Sequence, residues 1–114
     1  MYALKNKVQL IGNLGSNPEI KTLDGGKKLA KFSLATSEIY RNAQGEKVKE
    51  TQWHNLVAWG KVAEIVEKYL LKGSEIAIEG KLTNRTYNDK DGIKKYFTEI
   101  QVNELLMLGE KSSK

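Results

Sequence analysis

Thr51-Gln52-Trp53-His54-Asn55-Leu56-Val57-Ala58-Trp59 runs without a break into Gly60-Lys61-Val62-Ala63-Glu64-Ile65-Val66-Glu67-Lys68-Tyr69-Leu70. The first stretch alternates. Trp53, Asn55, Val57 and Trp59 share one face, while His54, Leu56 and Ala58 share the other, which is the period of a β-strand. The second stretch changes period, with Val62, Ile65, Val66, Tyr69 and Leu70 recurring at i, i+3, i+4, i+7 and i+8 opposite Lys61, Glu64, Glu67 and Lys68, as on an amphipathic α-helix. Tyr69 is expected in the core on that stripe, and Gly73 is the expected C-terminal stop. A strand that feeds directly into one short helix is the hinge on which the fold turns.

Upstream, Lys7-Val8-Gln9-Leu10-Ile11-Gly12 reads as a first strand loosened by Gly12 and Gly15, and Asn17-Pro18 marks a turn. Asp24-Gly25-Gly26 is turn chemistry before a second strand, Ala30 to Thr36, in which Ala30, Phe32 and Leu34 face one way. The polar stretch Glu38 to Lys49, centred on Asn42-Ala43-Gln44-Gly45, is expected to be a long exposed hairpin loop. Downstream, Ile76, Ile78 and Leu82 alternate through a fourth strand. Asn88-Asp89-Lys90-Asp91-Gly92 turns the chain, and Tyr96, Thr98, Ile100 and Val102 alternate through a fifth. A helix this short cannot cover both sides of a flat sheet, so closure is expected. The resulting fold class is all-β, a five-stranded barrel with one helix between strands 3 and 4, which is the OB-fold; its open face commonly takes oligonucleotides or oligosaccharides. Residues 1–109 are expected to form the single domain and 110–114 a short polar remnant.

Composition narrows the function. At 114 residues the chain suits one domain, and 39% hydrophobic and 29% charged residues are those of a globular protein. The formal charge of +5 favours an anionic partner. His54 is the only histidine and there is no cysteine, so a histidine triad, a multi-histidine metal site and a zinc cluster are all excluded, and no catalytic centre or cofactor is expected. Asp89, Asp91 and Glu99 would be the raw material of a magnesium nuclease, but turn chemistry beside Gly92 accounts for the first two. No apolar run approaches a membrane span, and Met1 to Lys7 lacks the apolar stretch of a secretory signal, so a cytoplasmic protein is expected.

The ordered motifs say more. Gly12-Asn13-Leu14-Gly15-Ser16-Asn17-Pro18-Glu19, Leu34-Ala35-Thr36-Ser37-Glu38, Thr51-Gln52-Trp53-His54-Asn55-Leu56-Val57 and Trp59-Gly60-Lys61-Val62-Ala63-Glu64 resemble successive segments of the bacterial and mitochondrial single-stranded DNA-binding proteins. Tyr69-Leu70-Leu71-Lys72-Gly73-Ser74 and Ile78-Glu79-Gly80-Lys81-Leu82 continue the match, which covers roughly residues 5 to 109. The resemblance implies an OB-fold domain, usually a homotetramer, that wraps and protects single-stranded DNA in replication, recombination and repair, here in the nucleoid. It places the family's base-stacking positions on Tyr40, Trp53, Trp59 and Tyr87, and His54 at a subunit contact. Asn55 and Thr83 depart from the family, standing where a basic residue is common.

The chemistry of such a site agrees with these residue types. Unstacked bases expose flat faces that a ring covers whatever the base, giving sequence tolerance at roughly 1 to 3 kcal/mol per stack. Leu56 and Ala58 can build the interior and leave Trp53 and Trp59 outside, about 20 Å apart at β spacing. Lys31, Arg41, Lys47, Lys49, Lys61, Lys72 and Arg85 are the candidate phosphate neutralisers, with Lys61, Lys72 and Arg85 favoured because they lie in matched segments. Family members commonly continue through a flexible linker to an acidic tip that recruits replication and repair proteins. This chain reads Gly109-Glu110-Lys111-Ser112-Ser113-Lys114, so such partners are expected only if the native protein carries that tail. The competing reading is an OB module for structured RNA or a protein.

Overall fold

The computed structural model describes residues 5–108; the remnant expected at 110–114 lies outside them. Strands β1 (Val8–Leu14), β2 (Glu19–Thr22), β3 (Lys28–Arg41) and β4 (Lys47–Trp59) precede helix α1 (Gly60–Tyr69), and β5 (Glu75–Asn88) and β6 (Lys94–Met107) follow it. The sheet runs β1-β5-β6-β4-β3-β2, and β1 also pairs with β3, so five strands close into a barrel and four-residue β2 is an appendage on β3. Closure is economical. It rests on Asn13↔Ala35 and Leu14↔Leu34 between β1 and β3, and on the parallel pairs Leu56↔Ile100 and Val57↔Gln101 between β4 and β6.

Two glycines permit it. A Cβ at Gly12 would strike the Ala35 carbonyl where β1 crosses onto β3, and one at Gly80 would strike the Gln101 carbonyl at the irregularity between Glu79 and Gly80. Only a residue without a side chain lets the strands approach that closely. Inside, Leu34, Ile76 and Val66 are fully buried with Phe32, Leu56, Ala58, Ile78, Ile100 and Val102 around them, and each large aliphatic side chain stabilises the fold by about 1.5–3 kcal/mol.

Two expectations are corrected. Tyr69 is 56% exposed and is not core; α1 buries Ala63 and Val66, and Leu70 just beyond it, because the barrel end it caps is narrower than its apolar stripe. The stretch 38–49 is not a loop, since β3 and β4 stay paired from Leu29↔Trp59 out to Arg41↔Lys47 and only 42–46 turn the chain. Tyr96 alternates with Ile100 and Val102 along β6 as expected but is 73% exposed, because the strand has already left the barrel there. Gly73, with φ 92°, sits in the turn after the helix, which ends at Tyr69.

The consequence is a barrel with two projecting arms. One is the distal half of β3 and β4, and the other the distal half of β5 and β6, paired from Leu82↔Ile100 to Asn88↔Lys94. Because β4 and β6 share only two residue pairs, the arms separate and leave a groove between them.

Candidate nucleic-acid interface

The groove encloses about 320 Å³ and is lined by Ser16 and Asn17 from the β1–β2 connection, Glu19 from β2, Lys31, Phe32, Ser33, Asn55 and Leu56 from β3 and β4, and Phe97 and Glu99 from β6. Alternation puts the odd-numbered side chains of β3 and β4 on this outer side, opposite Phe32, Leu34 and Leu56 in the core. Trp53 belongs to that outer side, directly across from Ala35. Its ring is 63% exposed and lies along the backbone of Gly15, where any Cβ would overlap the indole edge. Gly15 is itself held by its N–H donating to the Ser33 carbonyl at 3.1 Å. A large apolar ring is thus propped open to solvent on a rigid support.

Trp59 closes the same strand face, opposite Leu29, and is half-buried. The ammonium of Lys27 stands 5.2 Å from its ring centroid, a distance at which the ring's quadrupole attracts the cation. Sequence reasoning missed Lys27. The turn at Asp24–Gly26 brings it there, and only the pairing of Leu29 with Trp59 reveals the proximity. Lys28 points elsewhere and binds Glu67 of α1. That hydrogen bond, aided by the charges of Glu67 and Glu64, raises its pKa above the ordinary lysine value against the opposing effect of desolvation.

The opposite wall is β5 and β6. Arg85 stands across from Phe97, its guanidinium 6.0 Å from the ring centroid, and pairs with Glu99 at 3.4 Å. Tyr87, 55% exposed, follows on the same side of β5. Thr83 donates to the Glu99 carbonyl at 3.3 Å. Asp89 is spent on the turn, its Oδ1 accepting from the N–H groups of Asp91 and Ile93, both at 2.9 Å. Among the described residues no three His, Asp or Glu side chains converge as a metal site would require.

The remaining candidates are placed as follows. Tyr40 is exposed opposite Val48 and, by alternation, projects from the other side of its arm than Trp53. His54 shares that other side; it is half-buried, with Nε2 3.0 Å from Thr36 Oγ1. Lys61 is exposed in the first turn of α1, two residues beyond Trp59. Lys72 is exposed in the turn after α1, whose N–H donates to Asn17 Oδ1 at 2.8 Å, so its backbone is tied to the groove rim. The fold therefore gathers Trp53, Trp59, Arg85 and Tyr87 on the groove side, ties Lys72 to the groove rim through Asn17, leaves Lys61 exposed at the start of α1, and does not bring Tyr40 onto that side.

A five-stranded barrel with its helix between β4 and β5, open along a groove flanked by exposed rings and cations, is an OB-fold. Residues 5–108 match the model of the single-strand binding protein family, and the chain belongs to that family. It is 47% identical over 109 residues to single-stranded DNA-binding protein 1 of Chlorobaculum tepidum, covering 95% of this chain and 67% of that one. It is 46% identical over 110 residues to the single-stranded DNA-binding protein of Bacteroides thetaiotaomicron, covering 95% and 68%. Among solved structures, the Plasmodium falciparum SSB complex with ssDNA superposes with a TM-score of 0.84 at 36% identity, over 91% of this chain and 95% of that one. No helix among the described residues is long and apolar enough to cross a membrane.

Proposed function

We propose that this chain binds single-stranded DNA with little regard to sequence, without catalysis or cofactor, and thereby protects it in replication, recombination and repair. The observation that carries the reading is Trp53: a tryptophan 63% open to solvent, braced by Gly15, on the outer face that leads into the groove. Leaving so much apolar ring exposed is costly for folding and useful for binding a base face. Trp53, Trp59 and Tyr87, with Tyr40 on the far side of its arm, are the proposed stacking residues. Lys61, Lys72 and Arg85 are the proposed phosphate contacts, and Lys27 joins them.

The family's tetramer is proposed here too, with His54 at a subunit contact. Its support is the outer face of β1, β5 and β6, where Ile11 and Leu106, about 60% exposed, flank Ala77 beside the open edge of β1. An apolar patch next to an unpaired strand edge suits a second copy of the chain. A nucleoid location in the cytoplasm follows from the ligand, and recruitment of replication and repair proteins requires an acidic tail in the native protein.

Titration of the protein with short oligothymidine, followed by tryptophan fluorescence, tests the reading. Quenching that saturates at a fixed number of nucleotides per subunit and weakens as salt rises is the expected result. Indifference to the oligonucleotide would transfer the groove to structured RNA or a protein ligand. Solution mass with and without oligothymidine reports assembly and occupancy together.

A further inference from the structure

We propose that Phe97 is an additional base-stacking position, taking an unpaired nucleobase between the two arms; the inference rests on the reading that the groove receives single-stranded DNA. Phe97 lies outside the buried cluster that fills the barrel, to which Phe32, Leu56 and Ile100 belong. Its strand neighbours Tyr96 and Thr98 alternate to the opposite face, leaving the Phe97 ring on the groove side with Glu99. The groove is also lined by the polar Lys31, Ser33 and Asn55, together with Phe32 and Leu56, which are themselves buried in the core. A half-buried ring facing polar side chains is poorly used as packing and well used as a platform.

Two charges select what would lie on it. The Glu99 side chain, only 11% exposed, sets a carboxylate in the groove that repels phosphate, so the strand is expected to present a base there and keep its backbone outside. Arg85, beside the ring at 6.0 Å and more than half exposed, stands where that outward backbone would pass. The gap is available because β4 and β6 stop pairing beyond Leu56↔Ile100, so no hydrogen-bonded ladder has to open for a flat base to enter.

The test is F97L beside F97Y, in the full chain, titrated with short oligothymidine and followed by the fluorescence of the unaltered Trp53 and Trp59. Leucine keeps an apolar side chain and removes the aromatic face, whereas tyrosine keeps the face. The expected result is binding weakened about 5- to 150-fold in F97L and within about two-fold of the parent in F97Y. The salt slope should be unchanged in both, because no charge is removed. Thermal midpoints of both variants identify a packing effect. An F97L protein that binds like the parent, or a loss shared equally by F97Y, overturns the role of Phe97. Absence of quenching in the parent overturns the groove reading itself.

Discussion

The arm of β3 and β4 and the arm of β5 and β6 turn by the same chemistry. Asn42 accepts from the N–H groups of Gln44 and Glu46, and Asp89 from those of Asp91 and Ile93. In each, a glycine three residues on, Gly45 or Gly92, takes φ 79°. Their surfaces differ. Arg41, Lys47 and Lys49 on the first arm make none of the ion pairs among the described residues, whereas Arg85 and Lys95 on the second are paired with Glu99 and Asp89. The first arm carries a large, braced indole and cations without carboxylate partners, Arg41 donating to the Gly45 carbonyl; the second carries smaller rings and two cations, Arg85 and Lys95, already paired, Lys94 making no ion pair among the described residues. A ligand therefore meets the first arm at no cost in ion pairs, and Arg85 and Lys95 of the second only in exchange for them.

The largest effect should come from stripping the first arm's strand. W53A/W59A is expected to lower oligothymidine affinity by at least about 100-fold, while Y87A on the second arm costs about ten-fold. Since the double variant has lost its fluorescent reporters, both belong in a filter or calorimetric titration. Equal losses from the two arms would erase the asymmetry.

Next in size, G12A attacks the barrel to which both arms attach. Overlap with the Ala35 carbonyl is expected to destabilise the fold by roughly 1–3 kcal/mol, read as a lower midpoint in urea. G15A sharpens the contrast. Its methyl group meets the far end of the Trp53 ring, so it should shift the emission maximum and weaken binding several-fold with little change in the urea midpoint.

The smaller effects concern cations. Replacing Lys27 by Met removes a charge beside Trp59, and the log–log salt slope should become shallower by about 0.7. Freeing Arg85 by E99Q should tighten binding by no more than about five-fold, because a pair whose arginine is mostly exposed is worth at most about 1 kcal/mol. A tighter E99Q and a shallower K27M together would show that the second arm is restrained by its own acid.

Much of this was legible beforehand. The change from period two to period 3.6 at Gly60 located the end of β4 and the whole of α1, and the ordered motifs carried the family. The arms were not legible, because Glu38 to Lys49 is mostly polar and its few apolar residues, Ile39, Tyr40 and Val48, are split between the two faces: a ladder of backbone hydrogen bonds projecting into solvent has no apolar alternation to announce it. Tyr69 misled for the opposite reason, lying on an apolar stripe wider than the surface that receives it. Lys27 and Phe97 were invisible because each matters through a partner far away in the sequence or across a ladder, Trp59 in one case and Arg85 in the other.

By itself the order of residues determined the barrel class, its single helix, and the side of β4 from which both tryptophans project, since strand alternation and helical period are local properties of the chain. Tertiary structure alone decided that β4 and β6 part after two pairs, that Gly15 carries an indole, and that Glu99 holds Arg85. Those facts depend on register between strands distant in the chain, and register is set by how the barrel closes, not by any single segment.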